Sequence, residues 1–373
     1  MLRAKGAPGW TTEFESQEWD DFVEGNGGTP YQSWAYRSIL EESGNDPEYL
    51  AYKRPGGPIL AVCPMFRARV AKYRQRLTGP LETGTVPDPQ EKLKPRSFQG
   101  ILPIPALFGP EANPEVAARA LQHYLEGMRY PITSSLDIMT SQKRVIESLL
   151  LLGFRNWKAH GDFITDLSKT PTSNIWSDAF NKHDRQDIKY FDGLGASFRL
   201  SSEGGEFNEF LKLHESTMLR EGYRPMKADF LALMRRHLGE KLQLAVSDRS
   251  GELVAAQLLI LDRPSQTVYI DKIGYTRLRN IHSSVVFLWF KICAWAEKNG
   301  FRYVNLGGAR SDEALRLKRK FGGDFVEYHV FVIPSGSKLY PVTAGLLKGA
   351  RKLREVVSRR QSYRRQGSEQ VGA

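Results

Sequence analysis

The sequence predicts an α/β protein in which mixed sheets are flanked by helices. Apolar runs with strand spacing alternate with amphipathic helical segments along the chain, which is the pattern of α/β folds. A length of 373 residues is enough for about two domains. A hydrophobic content of 41%, with 11% aromatic residues, is enough to fill their cores. Mixed α/β subdomains are therefore expected, each with its own central sheet.

The first half of the chain is predicted to alternate helices with strands. Its predicted helices are Trp19–Gly25, Trp34–Gly44, Pro114–Tyr130 and Val145–Leu152. Its predicted extended segments are Tyr49–Lys53, Ile59–Val70, Ser134–Met139 and Gly153–Thr165. The segment Ser168–Ser173 is rich in Ser, Thr and Pro, and it is the candidate linker.

The second half repeats this alternation. Its predicted helices are Phe207–Glu221, Lys227–Leu238 and Ser283–Lys298. Its predicted strands are Leu242–Ser247, Val254–Leu261, Gln266–Ile273, Phe301–Leu306 and Tyr328–Ile333. The sequence Asp248-Arg-Ser-Gly251 predicts a hairpin turn between the first two of these strands. We therefore expect two subdomains, at residues 1–168 and 169–340.

The net charge of +11 is concentrated at the end of the chain. Residues 341–373 hold eight Lys and Arg against two Glu, which is +6 of that total. Helical spacing of apolar residues predicts that this tail starts as an amphipathic helix, and disorder is expected beyond Arg359. Such a tail attracts tRNA or an anionic membrane surface, although a solvated, disordered end has the same composition.

Composition also excludes several classes of protein. No run of about 18 apolar residues is present, so no transmembrane segment is expected. The N-terminus lacks the apolar core of a signal peptide. The two cysteines, Cys63 and Cys293, are far apart and have no Cys/His cluster around them, so no metal is expected. A reducing cytoplasm is the expected location.

The segment Gly300–Gly323 combines a short predicted strand, a glycine pair and a basic helix that ends at a second glycine pair. Glycines allow the backbone to approach a ligand closely, and helix N-termini favour negative charge. This pattern predicts an anion-handling site. A capped surface helix with solvated charges would have the same sequence.

The order of elements in the second half resembles the acetyltransferase (GNAT) fold. That fold holds the pyrophosphate of coenzyme A on a loop of the form Arg/Gln-x-x-Gly-x-Gly/Ala. The corresponding segment here is Arg279-Asn-Ile-His-Ser-Ser284, in which His282 and Ser284 replace the small residues. His282 is expected to cap or pack the following helix. This departure is evidence against an ordinary acetyl-CoA enzyme.

Five segments together resemble the FemAB/FemX family of aminoacyl-tRNA-dependent transferases, and the related BioF2-like and CelD-like acyltransferases. They are Tyr31-Gln-Ser-Trp34, Thr217-Met-Leu-Arg-Glu-Gly-Tyr223, the strand with Tyr269, Asn305-Leu-Gly-Gly308 and Leu317-Lys-Arg-Lys-Phe-Gly-Gly323. Two residues depart from the family pattern, since Asn305 replaces Asp and Leu317 replaces Phe. The resemblance implies two tandem GNAT-like subdomains, of which the second carries the catalytic cleft.

The resemblance also implies site residues. Lys318 matches the family's functional lysine and would stabilise a developing oxyanion, while Tyr269 would orient the acceptor amine or take part in proton transfer. The implied substrate-binding residues are Arg220, Tyr223, Asn305, Gly307, Gly308 and Arg316. The implied tRNA- or donor-binding residues are Arg74, Arg76, Arg279 and Lys320. Each of these also has a purely structural interpretation: a solvated charge, an exposed helix end, a half-buried strand aromatic or, for Arg67–Arg76, a solvated hairpin tip.

Three functional hypotheses follow. The first is an aminoacyl-tRNA-dependent transferase that forms an amide on a peptidoglycan precursor or a small metabolite, without a bound cofactor. The second is an N-acyltransferase that uses acyl-CoA or an acyl carrier protein. The third is a non-catalytic RNA- or envelope-binding protein with the same fold.

Overall fold

A computed structural model describes residues 8–45, 47–66, 106–127, 135–153, 155–277, 283–308 and 312–334. These residues form two sheets with helices packed on them. The predicted basic tail, the segment Arg67–Arg76 and the loop residues Arg279 and His282 lie outside the described residues. None of the described helices has the length and apolarity that a bilayer span requires.

The smaller sheet has four antiparallel strands and belongs to the first half of the chain. Its strands, in spatial order, are β1 (Gly9–Thr11), β2 (Pro47–Lys53), β3 (Ile59–Phe66) and β4 (Leu107–Phe108). The helices of this half are α1 (Ser16–Gly25), α2 (Trp34–Glu42), α3 (Pro114–Gly127) and α4 (Lys143–Leu151). One face of the sheet packs on α3, where the indole nitrogen of Trp10 donates to the carbonyl of Ala117 at 2.7 Å.

The larger sheet has eight strands in the order β5-β12-β6-β11-β10-β9-β8-β7. The strands are β5 (Ser135–Thr140), β6 (Arg155–Asp166), β7 (Arg199–Ser201), β8 (Leu242–Arg249), β9 (Glu252–Asp262), β10 (Thr267–Tyr275), β11 (Tyr303–Asn305) and β12 (Asp324–Pro334). Within this sheet β10 and β11 are parallel, and the other pairs of described strands are antiparallel. The crossover between β10 and β11 contains the long helix α8 (Ser283–Lys298).

Helices cover both faces of the larger sheet. On one face α8 packs against α5 (Lys182–Gly193) over an aromatic and aliphatic core that also holds Phe163 and Phe321. On the other face α6 (Gly204–Arg220) and α7 (Ala228–Leu238) pack together with α2 of the first half. The short basic helix α9 (Asp312–Arg319) precedes β12. This order of elements confirms the predicted mixed α/β architecture.

The predicted hairpin between β8 and β9 is confirmed. Arg249 pairs with Glu252, so the loop consists of Ser250 and Gly251, whose φ values are 55° and 83°. Two consecutive positive φ values define the turn that matches the right-handed twist of paired strands. Glycine adopts this conformation without strain, which explains its place at the second loop position.

Helix α5 and the short strands β1, β4 and β7 were not predicted, and several bounds differ. Helix α5 and strand β7 follow the candidate linker, and α5 was missed because it is mostly polar and buries two carboxylates, Asp184 and Asp187. Strand β12 begins at Asp324 rather than at Tyr328, and β11 is shorter than the predicted Phe301–Leu306.

The two halves of the chain share the larger sheet. Strand β6, which precedes the candidate linker, lies between β11 and β12 of the second half. The linker segment is also held in place, since the Leu167 amide donates to the Arg302 carbonyl at 2.8 Å and the Thr172 amide donates to Glu297 at 3.1 Å. The boundary between residues 168 and 169 stays a prediction.

Candidate active site

An opening in the larger sheet lies where the pairing of β10 with β11 ends. The two strands pair over three residues, and the last pair is Tyr269 with Asn305. Beyond this pair β10 has an irregularity between Ile270 and Ile273. The chain after β11 instead follows β6, because the Leu306 amide donates to the Phe163 carbonyl at 2.8 Å. The strands therefore separate at this point, and polar side chains collect there.

Lys318 brings a buried ammonium group to this opening. Its side chain comes from α9, and the residue is only 7% exposed. The Nζ atom donates to the carbonyl oxygens of Leu306 and Gly308, the second at 2.8 Å, and lies 5.8 Å from the ring centroid of Trp289. Burial lowers the pKa of Lys318 to about 8, although the nearby charge of Asp162 acts against this shift. The group is thus a cation at neutral pH, held by backbone carbonyls.

Asp162 supplies the opposite charge. It lies on β6, and its Oδ2 accepts a hydrogen bond from the side-chain Nδ2 of Asn305 at 3.2 Å. Burial raises the pKa of the Asp162 carboxyl, and this effect outweighs the hydrogen bond from Asn305 and the charge of Lys318. A carboxylate with a raised pKa accepts a proton more readily than an exposed one.

Asn305 connects this carboxylate to the glycine turn. Its Oδ1 accepts from the Gly307 amide at 2.7 Å while its nitrogen donates to Asp162. An aspartate at this position could not make both contacts, because an ionised carboxylate only accepts. Asn at position 305, where the family pattern has Asp, therefore fits the presence of Asp162.

The glycine pair lets the backbone pass close to both charged side chains. A methyl group at Gly307 would lie 3.7 Å from Lys318 Nζ, and φ at this position is 69°. A methyl group at Gly308 would lie 3.7 Å from Asp162 Oδ1 and only 2.9 Å from the Gly161 carbonyl oxygen. The predicted close approach of the backbone at this pair is thus an approach to Gly161 of β6.

Tyrosines line the same face of the sheet. The Tyr269 and Tyr31 rings are perpendicular, with centroids 5.7 Å apart, and Tyr31 has the same arrangement with Tyr36 at 5.1 Å. Burial raises the pKa of Tyr269, Tyr31 and Tyr328, and for the last two the Asp162 charge adds to the effect. These phenols therefore stay neutral, which suits hydrogen bonding and orientation rather than proton abstraction.

Arg220 lies away from the β10–β11 opening. Its Nη2 donates to the Tyr275 carbonyl at 3.1 Å, and its guanidinium lies 4.8 Å above the Tyr275 ring. Tyr275 is six residues along β10 from Tyr269, which corresponds to about 20 Å of strand. The structure therefore does not bring Arg220 together with Lys318. Tyr223 follows the end of the same helix, with its amide donating to Met218 at 2.7 Å.

The remaining predicted site residues are dispersed. Arg316 is exposed on α9. Lys320 forms an ion pair with the buried Asp184 of α5 at 2.5 Å, so its charge already holds α5 in place. Arg74, Arg76 and Arg279 lie outside the described residues. Of the residues predicted from the sequence, Lys318, Tyr269, Asn305, Gly307 and Gly308 are the ones that meet at the opening.

Sequence reasoning missed Asp162, although one signal was present. Gly161 precedes it inside a predicted strand, and an interior strand glycine often marks a close approach of another group. A methyl group at Gly161 would lie 2.2 Å from the Phe325 ring, which covers this position. The pairing of Asp162 with Asn305 depends on the sheet order, which the sequence does not contain.

Other catalytic chemistries lack support in the described part of the chain. Cys63 and Cys293 are buried, and burial raises the pKa of both thiols to about 12, so neither is a thiolate at neutral pH. Among the described residues, no group of three His, Cys, Asp or Glu side chains is arranged to hold a metal ion.

Known proteins share this architecture. Residues 178–319 match the sequence profile of the acetyltransferase (GNAT) domain, and no match to a curated protein was found. The crystal structure of FemX superposes with a TM-score of 0.61 at 12% identity, covering 89% of this chain and 99% of FemX. The FemX-like GNAT resemblance seen in the sequence is therefore confirmed at the level of the fold.

Two further solved structures have the same fold over most of their length. The structure of L-PGS from Bacillus licheniformis gives a TM-score of 0.51 at 15% identity, covering 89% of this chain and 95% of L-PGS. A conserved protein of unknown function from Bacteroides thetaiotaomicron VPI-5482 gives 0.52 at 10% identity, covering 87% and 98%. All three solved structures therefore share the overall fold of this chain.

Proposed function

We propose that this chain, which has the tandem GNAT fold of FemX, is an aminoacyl-tRNA-dependent transferase that forms an amide bond on an amine acceptor. The observation that carries the proposal is the Lys318 ammonium, buried at the β10–β11 opening beside Asp162. Such a pair offers one cation and one proton acceptor, which are the two groups that acyl transfer to an amine requires.

The reaction divides between these two residues. The acceptor amine attacks the ester carbonyl carbon, a C–N bond forms, and Asp162 accepts the proton that the amine releases. Lys318 donates a hydrogen bond to the oxyanion, and among the described residues only the Leu306 and Gly308 carbonyls take up its other hydrogens. The C–O bond to the tRNA ribose then breaks, and protonated Asp162 returns the proton to the leaving oxygen.

The tyrosines and the glycine turn would position the reactants. Neutral Tyr31 is close enough to Asp162 to feel its charge, and the Tyr269 ring packs against Tyr31. Gly307 and Gly308 bring the backbone close to Lys318 and Asp162. A peptidoglycan precursor or a small metabolite amine is the proposed acceptor. The identity of the acceptor depends on contacts with residues other than Lys318 and Asp162.

The choice of tRNA rather than coenzyme A as donor rests on the start of α8. The preceding segment lacks the glycines that grip a pyrophosphate, and Ser283 and Ser284 are buried. The Ser284 hydroxyl donates to the Thr276 carbonyl at 2.9 Å, so it is committed to the protein. The FemAB/FemX resemblance favours the same donor.

The second candidate function is N-acyl transfer from acyl-CoA or an acyl carrier protein. It is favoured by the match of residues 178–319 to the GNAT profile. Neither candidate needs a bound cofactor beyond its donor.

Transfer assays separate the candidates. Purified protein is incubated with radiolabelled aminoacyl-tRNA and a panel of amine acceptors, with and without prior ribonuclease treatment. We expect transfer that ribonuclease abolishes and that Lys318→Ala reduces strongly. Transfer that survives ribonuclease and requires acyl-CoA would establish the second candidate instead. Absence of transfer from either donor, with RNA binding kept in Lys318→Ala, would point to a non-catalytic binding protein.

A further inference from the structure

A second concave surface lies away from the β10–β11 opening. This cavity, of about 870 Å³, is bounded by the start of β8, the end of β9 and the C-terminal end of α7. Four cationic side chains line it, Arg235, Arg236, Lys241 and Arg263. One carboxylate, Glu240, lines it as well. We refer to it as the basic cavity.

Two of the four cations are already paired. Arg236 forms an ion pair with Glu42, and Lys241 Nζ lies 3.9 Å from Glu24 Oε1. Within the described chain no ion pair is formed by Arg235 or Arg263. The two positive charges of these guanidinium groups outnumber the single negative charge of Glu240, so the basic cavity has a net positive charge.

Both uncompensated guanidinium groups are held flat against aromatic rings. Arg235 lies 4.6 Å above the Phe207 ring and Arg263 lies 4.2 Å above the Phe301 ring. Arg263 also donates to the Asn299 carbonyl at 2.9 Å. Phe207 and Phe301 are both buried, so each ring is a fixed support. Each guanidinium is thus held in place while the arginine side chain stays exposed.

Fixed, exposed guanidinium groups suit the phosphates of RNA. Their planar donors bind phosphate oxygens in pairs, and less side-chain freedom is lost on binding because the group is already positioned. Two such groups around a cavity of this size are able to follow a sugar-phosphate backbone, and they also offer faces on which unpaired bases stack.

The basic cavity lies within reach of the candidate active site. Leu261 lines the cavity and pairs with Val268, the residue before Tyr269. Tyr269 in turn pairs with Asn305, next to the chain that Lys318 contacts. Strands are about 4.8 Å apart and rise about 3.3 Å per residue, so the cavity and the opening are separated by roughly 10–20 Å. A few unpaired nucleotides at the end of a tRNA can span such a distance.

We infer that the basic cavity binds the phosphate backbone of the tRNA donor near its acceptor end, through Arg235 and Arg263, and so directs the aminoacyl ester toward Lys318. This inference rests on the proposed function. It adds a donor-binding surface in the described GNAT half, separate from Arg74, Arg76 and Arg279.

The experiment compares the full-length protein with the double variant Arg235→Gln/Arg263→Gln and with each single variant. The control is Arg54→Gln, since Arg54 is an exposed arginine in the turn between β2 and β3. Binding of deacylated tRNA is measured by fluorescence anisotropy at several salt concentrations. Transfer from aminoacyl-tRNA is measured in parallel, and thermal unfolding verifies that each variant is folded.

We expect the double variant to bind tRNA at least about tenfold more weakly, with each single variant in between. The slope of log Kd against log salt concentration should fall by about 1.5, because two phosphate contacts are lost. The KM for aminoacyl-tRNA should rise, while kcat at saturation stays within about twofold because Lys318 is not altered. Arg54→Gln should match the original protein in tRNA affinity, salt slope, KM and kcat.

Two outcomes would overturn the inference in different ways. If the original protein transfers from aminoacyl-tRNA and the double variant keeps its tRNA affinity and salt slope, the basic cavity does not bind the donor, although the proposed function stands. If the original protein uses acyl-CoA alone and does not bind tRNA, the proposed function fails and the inference fails with it.

Discussion

At the scale of single residues, the functional chemistry depends on a cation whose position is unfavourable for a charge. Lys318 is buried, and the fold stabilises its ammonium with two carbonyl groups and a carboxylate rather than with water. A cation of this kind is already positioned and partly desolvated, so it responds strongly to negative charge that develops next to it. This arrangement leads to three predictions.

Replacing Lys318 should remove most of the catalysis. Lys318→Ala is expected to lower kcat by about 10²–10³-fold, as loss of one oxyanion donor does in other acyl transfer sites. The matched control is Arg319→Ala, which removes the neighbouring exposed charge of the same helix. Steady-state kinetics with a saturating donor measure both. Equal effects of the two variants would contradict a specific role for Lys318.

Above neutral pH, activity and stability should change in opposite directions as the pH rises. Activity that requires the Lys318 ammonium should fall as the pH rises through about 8. Between about 8 and the ordinary value of 10.5, the unfolded chain binds more protons at this residue than the folded chain, so the free energy of unfolding should rise with pH. A pKa difference of this size corresponds to a total on the order of 3 kcal/mol.

The measurements are a pH–rate profile and urea unfolding at several pH values. Lys318→Arg supplies the control, because arginine stays charged throughout this range. That variant should lose both the alkaline fall in activity and the alkaline gain in stability, whatever its absolute rate. An unchanged profile would mean that another group controls the alkaline limb.

Placing the aspartate of the FemAB/FemX pattern at position 305 should lower the activity of this protein. In Asn305→Asp a second carboxylate would face Asp162, where the Asn305 nitrogen now donates at 3.2 Å. Two adjacent carboxylates cannot both ionise easily, so the acid limb of the pH–rate profile should move to higher pH. The activity of Asn305→Asp at neutral pH is expected to fall several-fold. Asn305→Ala should also lose activity, but the acid limb of its pH–rate profile should stay where it is in the original protein. An unmoved limb in Asn305→Asp would contradict Asp162 as the base.

At the scale of elements, the site depends on the glycine pair after β11. Gly308 packs against the Gly161 carbonyl, and a methyl group there would approach that backbone oxygen to 2.9 Å. Gly308→Ala is therefore expected to cost roughly 1–3 kcal/mol of stability and to lower kcat, because the backbone of β6 or of the turn must shift.

The control for this variant is Gly205→Ala in α6, where an added methyl group meets nothing within 4 Å. That change should be neutral or slightly stabilising, since alanine favours a helix. Thermal unfolding and transfer kinetics measure both variants. A Gly308→Ala protein with unaltered stability and kcat would show that the turn has more freedom than its contacts indicate.

Local sequence patterns predicted the elements that bury an apolar face. Helix α8 has the predicted bounds Ser283–Lys298 because most of its residues are apolar and its ends are marked by serines and a glycine. Helix α5 was missed for the opposite reason. Its buried Asp184 is stabilised by Lys320, which is 136 residues away, and no local pattern reports such a pair.

The candidate site was predictable in part. The resemblance to the FemAB/FemX family indicated Lys318, Asn305 and the glycine pair, because these residues are close together in sequence. Asp162 and Tyr31 could not be assigned to the site in this way. They reach it through the pairing of β6 with β11 and through the packing of the first half on β10, which are long-range features of the fold.

At the scale of the whole molecule, the sheet joins the two halves more closely than a linker would. Strand β6 pairs with β12 on one side and with β11 on the other, and Phe331 of β12 lies in the core that α3 and α4 build. A fragment that starts at residue 169 would lose β6 and expose the edges of both neighbours.

We therefore expect a fragment of residues 169–373 to be aggregated or poorly folded. A fragment of residues 135–373 keeps β5 and β6 and should be better folded, although it lacks the smaller sheet. Size-exclusion chromatography and circular dichroism of the two purified fragments compare them. A monomeric, cooperatively unfolding 169–373 fragment would instead support the predicted boundary at residue 168 as a true domain boundary.

The central place of β6 also has a consequence for how the chain is made. Its partner β12 lies about 160 residues further along the chain, and ribosomes add roughly 5–20 residues per second. A newly made β6 thus waits on the order of 10 s for its partners, with its hydrogen-bonding edges unfilled. Synthesis rate and chaperone access during that interval, rather than the stability of the finished fold, should then govern how much active protein a cell obtains.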